Sequence, residues 1–142
     1  MAGNAVLIRK WFDEVWNKGN EQTIDEMCSK NAIGHGQGQH GADIRGPEHF
    51  KQFWRTFRSA FSSIHIDIHH TIEQDDTVVA RWTMAMTHTA PFLGIAHANK
   101  RVTVNGISIQ RFVDGKIIEA WDNWDQLSLL VQLGAVPEPK FL

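Results

Sequence analysis

The residue best suited to chemistry is Asp122, which lies near the end of a stretch where apolar and polar residues alternate. Ile118, Ala120 and Trp124 share its parity, so a strand here presents Asp122 on a largely apolar face. If that face lines a cavity, loss of water raises the carboxyl pKa and suits the group to take a proton from a carbon next to a carbonyl. The alternative is a structural aspartate at the end of the sheet, hydrogen-bonded to a neighbouring loop.

Two histidines are candidates to assist this carboxyl group. His88 ends a run in which Trp82 and Met84 share its face, and its near-neutral pKa suits it to hydrogen-bond Asp122 or a ligand carbonyl. His35 lies in a glycine-rich stretch and could reach the same place. Each has a structural alternative. The first is then a strand-end histidine that only hydrogen-bonds its neighbours, and the second is a histidine that anchors a loop.

The chain has 8 histidines, which raises the question of a metal site. His65 and His69 flank Asp67, but alternate residues of a strand lie about 6.5–7 Å apart. His35 and His40 lie in a loop with no cysteine partner, and neither pattern has the spacing of a closed zinc site. Glycine-rich phosphate-binding motifs and the Gly-x-Ser-x-Gly nucleophile motif are absent from the sequence. We therefore expect neither a metal nor an organic cofactor.

Large apolar side chains could form the wall of a small-molecule site. The chain has 6 Trp and 8 Phe but no Tyr, so no phenol hydroxyl is available as an acid, a base or an oxyanion donor. We expect six residues to belong to the core, to the pocket wall or to both: Trp54, Phe57, Trp82, Met84, Phe92 and Trp124.

The apolar periodicity predicts the helices that position these residues. A first helix is predicted from Asn4, its N-cap, to Gly19, and a second from Glu21, with Cys28 in its apolar stripe. Residues 31–46 contain five glycines and predict a loop. A third helix begins at Gly46-Pro47, and its aromatic stripe predicts a face packed against a sheet. That stripe consists of Phe50, Phe53, Trp54, Phe57 and Phe61.

From residue 64 the apolar period becomes two, which is typical of strands. The predicted strands are 64–72, Thr77–His88, Arg101–Val113 and Lys116–Trp124. Asp125 is predicted to cap a last helix, 126–133. Helices followed by hairpin-linked strands predict one α+β domain over residues 1–142. Its antiparallel sheet would curl around the helices into a cone, whose mouth suits a small molecule.

Short motifs in a fixed order carry a family resemblance between about residues 5 and 135. They are Trp16-Asn17-Lys18-Gly19-Asn20, His35, Gly46-Pro47 with Phe50, Thr87-His88, Phe92-Leu93-Gly94, Gly106-Ile107, Arg111, Asp114-Gly115-Lys116-Ile117, Glu119, Trp121-Asp122, Asp125, Leu129-Leu130 and Gln132-Leu133-Gly134. In order and spacing the sequence resembles the SnoaL-like polyketide cyclases, which belong to the NTF2-like superfamily of cone-shaped α+β proteins.

This resemblance implies a chemistry as well as a fold. The family's cyclases close a ring by an intramolecular aldol condensation without a metal or an organic cofactor, and the position of their acid/base aspartate is Asp122 here. A Gln and a His assist it in the best-known cyclase, and the matching positions here are Gly106 and Ser108. We therefore list Asp122 and His88 as catalytic candidates. Ser108 and His35 join the six apolar residues as candidates for substrate binding.

Two functions remain open at this point. The first is an enzyme of the cyclase or isomerase type, which acts on a small apolar molecule that carries a carbonyl. The second is a non-catalytic ligand-binding or dimeric scaffold module, in which Asp122 only orients the structure. The loss of the family's Gln and His partners at the positions of Gly106 and Ser108 favours the second function. The presence of Asp122 with His88 favours the first.

Composition and net charge limit the classes of binding partner and the cellular location that we expect for this protein. A net charge of −2 excludes a basic nucleic-acid-binding surface and a polybasic membrane patch. The sequence has no 18-residue apolar run, no signal-peptide core and one cysteine, so we expect a cytoplasmic protein without disulfides. Apolar residues on the outward strand faces predict a homodimer. These residues are Val79, Ala85, Ile107 and Val113.

Overall fold

The computed structural model describes residues 3–37 and 41–140. Its helices are α1 (Asn4–Trp11), a π-helix (Phe12–Asn17), α2 (Glu21–Met27), α3 (Gly46–Ala60) and α4 (Gln126–Gln132). Its strands are β1 (Cys28–His35), β2 (Ile44–Arg45), β3 (Phe61–Gln74), β4 (Thr77–His88), β5 (Arg101–Val113) and β6 (Lys116–Trp124). The four long strands and the last three helices lie where periodicity predicts them, and the architecture is the predicted α+β class.

All six strands form one sheet in the order β2-β1-β6-β5-β4-β3. Neighbouring strands are antiparallel except β1 and β6, which run parallel. The four predicted strands, β3 to β6, pair antiparallel as predicted, and the parallel pair involves β1, which was not predicted. The prediction of a loop from residue 31 and of Cys28 on a helix is wrong, because β1 begins at Cys28. Its glycine-rich end forms a strand because Gly34 and His35 pair with Ala120 and Trp121 of β6.

The N-terminal helix begins and ends differently from the prediction. Gly3, and not Asn4, is the N-cap, and it has no side chain to bond the helix. After Trp11 the helix continues as a π-helix, a form that is common near functional sites. Asn17 then covers the edge of β3: its Oδ1 accepts from the Ile66 backbone N–H at 2.6 Å, and its Nδ2 donates to the Ile66 carbonyl at 3.1 Å.

Helix α3 packs its aromatic stripe into the concave side of the sheet. Phe50, Trp54 and Phe57 are buried, while Phe53 is partly exposed. Phe61 is the first residue of β3, because the helix ends at Ala60, and it is still buried. The predicted role of this stripe as a core face is confirmed.

A shift of register in the β5–β6 pairing decides which β6 residues face the core. The shift falls next to Phe112, which pairs with Ile117, so Ile117 is buried and Ile118 is only partly so. The predicted inward position of Ile118 is therefore wrong, whereas Ala120 lies in the core as predicted. At the end of the strand, Asp125 accepts from the Ser128 backbone N–H at 2.9 Å, which confirms its predicted N-cap role.

No helix within residues 3–37 and 41–140 is long and apolar enough to cross a membrane. No three His, Cys, Asp or Glu side chains are grouped there as metal ligands would be. His40, considered above with His35, lies outside the described residues.

Candidate active site

The side of the sheet that faces the helices encloses a small chamber of about 60 Å³, here called the deep chamber. Its wall is formed by the first helices, α3 and the inward faces of β3, β4 and β6 and is mostly aromatic. The lining residues are Trp11, Phe12, Trp16, Gln37, Phe50, Phe53, Phe57, Ile66, Trp82, Met84, Asp122 and Trp124. Among these described residues, Asp122 is the one ionisable group. The chamber therefore directs one carboxyl group into an apolar space.

Two hydrogen-bond donors hold the Asp122 carboxylate. The Ser108 hydroxyl donates to Oδ1 from the neighbouring strand, where Ser108 pairs directly with Asp122. The side-chain amide of Gln37, just beyond β1, donates to Oδ2. The carboxylate is thus oriented by one contact from β5 and one from the segment that follows β1.

These surroundings shift the acidity of Asp122 in opposite directions. Burial raises its pKa, since an apolar cavity disfavours the charged form, and the bonds from Ser108 and Gln37 lower it by less. The net result is a carboxyl group with a raised pKa, which makes its anion a stronger base than an exposed aspartate. This arrangement can take a proton from a bound carbon acid and return it elsewhere.

A larger vestibule of about 540 Å³ opens beside the deep chamber, between α3, α4 and the loop after β4. The two spaces share Gln37, Phe53, Phe57 and Trp124, so they are adjacent. The other residues of the vestibule wall are Ile44, His49, Gln52, Thr56, Phe92, Leu93, Gln126, Leu129 and Leu130. The polar side chains of this described wall belong to Gln, His and Thr, and it contains no Lys, Arg, Asp or Glu. Its size is that of an ordinary ligand site.

Most of the candidates identified from the sequence come together around these two spaces. Phe57, Trp82, Met84 and Trp124 line the deep chamber with Asp122. Phe92 lines the vestibule. Ser108 is fully buried and lies behind the chamber wall, where its hydroxyl bonds Asp122 rather than facing a ligand directly.

His88 does not join them, and the predicted hydrogen bond between His88 and Asp122 is wrong. Its side chain is only 2% exposed and stacks on Phe61, with the ring centroids 5.1 Å apart. Burial, followed by the charge of nearby His97, lowers its pKa. The alternation of β4 does point His88 inward, but His88 is not among the residues that line the chamber.

His35 and Trp54 line neither of these spaces, so their contact with a ligand stays a prediction. His35 bonds Asp43 at 3.0 Å and Glu119 at 2.9 Å, and these contacts, that of Glu119 first, raise its pKa. It is therefore the loop-anchoring histidine of the structural alternative. The Trp54 indole donates to the Val15 carbonyl at 3.0 Å and belongs to the core.

Gln37 is a residue of the candidate site that the sequence analysis did not identify. It lies 85 positions from Asp122 in a glycine-rich stretch, and no periodicity marks it. Gly34 is the one nearby sequence feature that is connected with the position of the Gln37 side chain. A Cβ there would come within 2.6 Å of Gln37 Oε1, so the missing side chain leaves room for the amide to reach Asp122.

The chain is similar to proteins of one family along nearly its whole length. The family model for SnoaL-like polyketide cyclase matches residues 6–133. Aklanonic acid methyl ester cyclase DnrD of Streptomyces peucetius is 28% identical over 129 residues, which cover 90% of this chain and 88% of that protein.

Solved structures show the same fold. IdmH from Streptomyces antibioticus superposes with a TM-score of 0.82 at 24% identity, covering 94% of this chain and 99% of that one. A Catenulispora acidiphila protein with a ketosteroid isomerase-like fold gives a TM-score of 0.76 at 15% identity, covering 92% and 93%. These superpositions confirm the predicted NTF2-like cone. The match of the family model over residues 6–133 shows that the chain belongs to the SnoaL-like polyketide cyclase family.

Proposed function

We propose that this protein catalyses a cofactor-free proton transfer on a neutral, carbonyl-bearing substrate, as an intramolecular aldol cyclisation or an isomerisation. The observation that carries this proposal is the deep chamber, where Asp122 is the one ionisable group among twelve described lining residues. An isolated carboxyl group with a raised pKa suits proton transfer at carbon.

In the aldol version, Asp122 takes the proton from the carbon next to one carbonyl, which leaves an enolate. The enolate carbon forms a carbon–carbon bond to a second carbonyl carbon of the same molecule, and that carbonyl becomes an alkoxide. The alkoxide then takes the proton back from Asp122. Substrate and product are isomers, so the reaction consumes no oxidant, reductant or water.

The walls favour a substrate without charge. The vestibule offers His49, Gln52, Thr56 and Gln126 as polar contacts, and none of its described lining residues is a Lys or Arg that could pair with a carboxylate. A substrate carboxylate would therefore lack a cationic partner and would also be repelled by the anion of Asp122. An ester avoids both penalties, because it keeps the carbonyl and removes the charge. The name of the similar Streptomyces peucetius cyclase likewise specifies a methyl ester.

Solvent deuterium exchange tests the proton-transfer step without the natural substrate. The probes are methyl 2-acetylbenzoate and its free acid, which share an aromatic methyl ketone and differ in charge. We expect the protein to accelerate exchange of the acetyl protons of the ester, followed by NMR in heavy water, and to act much less on the acid. Binding of the ester without accelerated exchange would instead support the non-catalytic ligand-binding module, which the absence of polar side chains at Gly106 favours.

We also propose that the protein forms a homodimer through the outward face of its sheet. Ile107 and Val113 are 47% and 46% exposed on this face, which is apolar enough to favour burial against a second copy. Light scattering at micromolar concentration is expected to give twice the mass of one chain. The substitution Ile107→Lys should reduce this to one chain mass, while Ile72→Lys, at an exposed site of edge strand β3, should not. A monomeric wild-type protein would contradict the proposal.

A further inference from the structure

Trp82 makes a polar contact that its role as chamber wall does not require. Its indole N–H donates to Ser108 Oγ with an N···O distance of 2.9 Å. Ser108 in turn donates its own proton to Asp122 Oδ1. An indole nitrogen is only a donor, so Ser108 Oγ must be the acceptor in the first bond. The single hydroxyl proton is then left for the carboxylate, and the three groups form a chain with one direction.

The strand pairing explains how an indole fits into this place. Trp82 pairs with Gly106 across β4 and β5, and a Cβ at residue 106 would lie 2.3 Å from Trp82 Cζ2. Gly106 does not have a positive φ, so the backbone does not demand a glycine here. The glycine is needed for space. Gly106 therefore allows the indole to lie flat against β5 and reach Ser108, two residues farther along that strand.

We propose that Trp82 is a positioning residue for Asp122: its N–H fixes the Ser108 hydroxyl as a donor to Oδ1 and so holds the carboxylate in one orientation within the deep chamber. The effect of this positioning by Trp82 on catalysis rests on the proposed function of Asp122. The hydrogen-bond chain itself can be tested without turnover.

The hydrogen-bond chain through Ser108 couples the Trp82 indole to the charge of Asp122. A carboxylate is a stronger acceptor than a neutral carboxyl group, and hydrogen bonds in series polarise one another. Ionisation of Asp122 should therefore strengthen the bond from Trp82 to Ser108. Conversely, loss of the indole N–H makes Ser108 a weaker donor, which should raise the pKa of Asp122 further.

Among the described residues, three other titratable groups near this part of the sheet have partners of their own. Glu119 on β6 and His35 on β1 bond each other at 2.9 Å, and Asp125 caps α4. His35 also stacks on Trp121, with the ring centroids 5.3 Å apart, so the indole signal of Trp121 should follow that histidine. The response of Trp82 can therefore be separated from theirs.

The experiment is an NMR titration of the intact protein labelled with ¹⁵N at its six tryptophans. The Trp82 N–H signal, identified by its contact with the Gly106 α protons, is expected to shift with pH in one step at the pKa of Asp122. The step should vanish in Asp122→Asn and in Ser108→Ala. Trp54 is the internal control, because its N–H bonds the Val15 carbonyl in the same core. A Trp82 signal that does not titrate, or one that still titrates in Asp122→Asn, would overturn the proposal.

Conservative variants extend the test to catalysis. Trp82→Phe keeps an aromatic ring but removes the donor, and Trp54→Phe makes the same change at a matched buried site. We expect the pH midpoint of exchange of methyl 2-acetylbenzoate to rise in Trp82→Phe and to stay unchanged in Trp54→Phe. An unchanged midpoint in Trp82→Phe would contradict the positioning role. If the Trp82 indole titrates as expected but neither the wild-type protein nor any variant accelerates exchange, the hydrogen-bond chain is confirmed and the proposed function is contradicted.

Discussion

Replacing Asp122 by Asn is expected to reduce exchange of methyl 2-acetylbenzoate by about 10²–10⁴-fold, the usual contribution of a general acid or base. The amide has nearly the shape of the carboxyl group and can still accept from Ser108, but it cannot take the substrate proton. Binding of the ester to the deep chamber and vestibule should therefore persist. Exchange is measured by NMR in heavy water, and binding by the quenching of tryptophan fluorescence.

Asp125→Asn is the matched control for this variant. Asp125 lies three residues farther along and caps α4, and Asn is as good an N-cap as Asp. Its exchange rate and stability should therefore remain close to those of the wild-type protein. Full exchange activity in Asp122→Asn would remove Asp122 from the mechanism and leave ligand binding as the function of the cavity.

Replacing Phe57 by Ala is expected to lower the free energy of unfolding by about 3–5 kcal/mol, as for other buried Phe truncations. Phe57 is 4% exposed and stacks on Phe61 with the ring centroids 4.8 Å apart, while Phe92 meets it edge to face at 5.7 Å. The truncation would remove a ring from the centre of this aromatic cluster. Urea unfolding followed by circular dichroism measures the change.

Phe53 provides the comparison on the same helix. It also lines the deep chamber, but its side chain is only half-buried, so Phe53→Ala should cost clearly less than Phe57→Ala. A loss below about 1 kcal/mol for Phe57→Ala would contradict the assignment of Phe57 to the core, because buried aromatic truncations cost more.

The sequence alone identified much of the fold, because periodicity is a local property. The aromatic stripe of α3 predicted its buried face, and the alternation in β4 predicted that Trp82 and Met84 point inward, as both do. Motif order predicted the family and the cone. The capping role of Asp125 also followed from its position before an apolar run. These predictions succeed because side-chain direction within one element depends only on neighbouring residues.

The predictions that failed involve competition between local preference and distant partners. A glycine-rich stretch favours a loop, yet the end of β1 pairs with β6 because its backbone groups find hydrogen-bond partners there. The register shift beside Phe112 cannot be read from alternation, so the inward face of β6 changes from Ile118 to Ile117. His88 points inward as predicted, but only the packed structure decides that it stacks on Phe61 and does not bond Asp122.

The sequence by itself thus determined the family, the cone and the inward position of Asp122, since each follows from motifs or from the period of one strand. The tertiary structure decided what surrounds that carboxyl group. Gln37 meets it across 85 positions, and Trp82 reaches it through Ser108 because Gly106 leaves room. Such contacts depend on strand register and on the space left by missing side chains. Both arise only when separate elements pack together, which is why the surroundings of Asp122 are set by the fold.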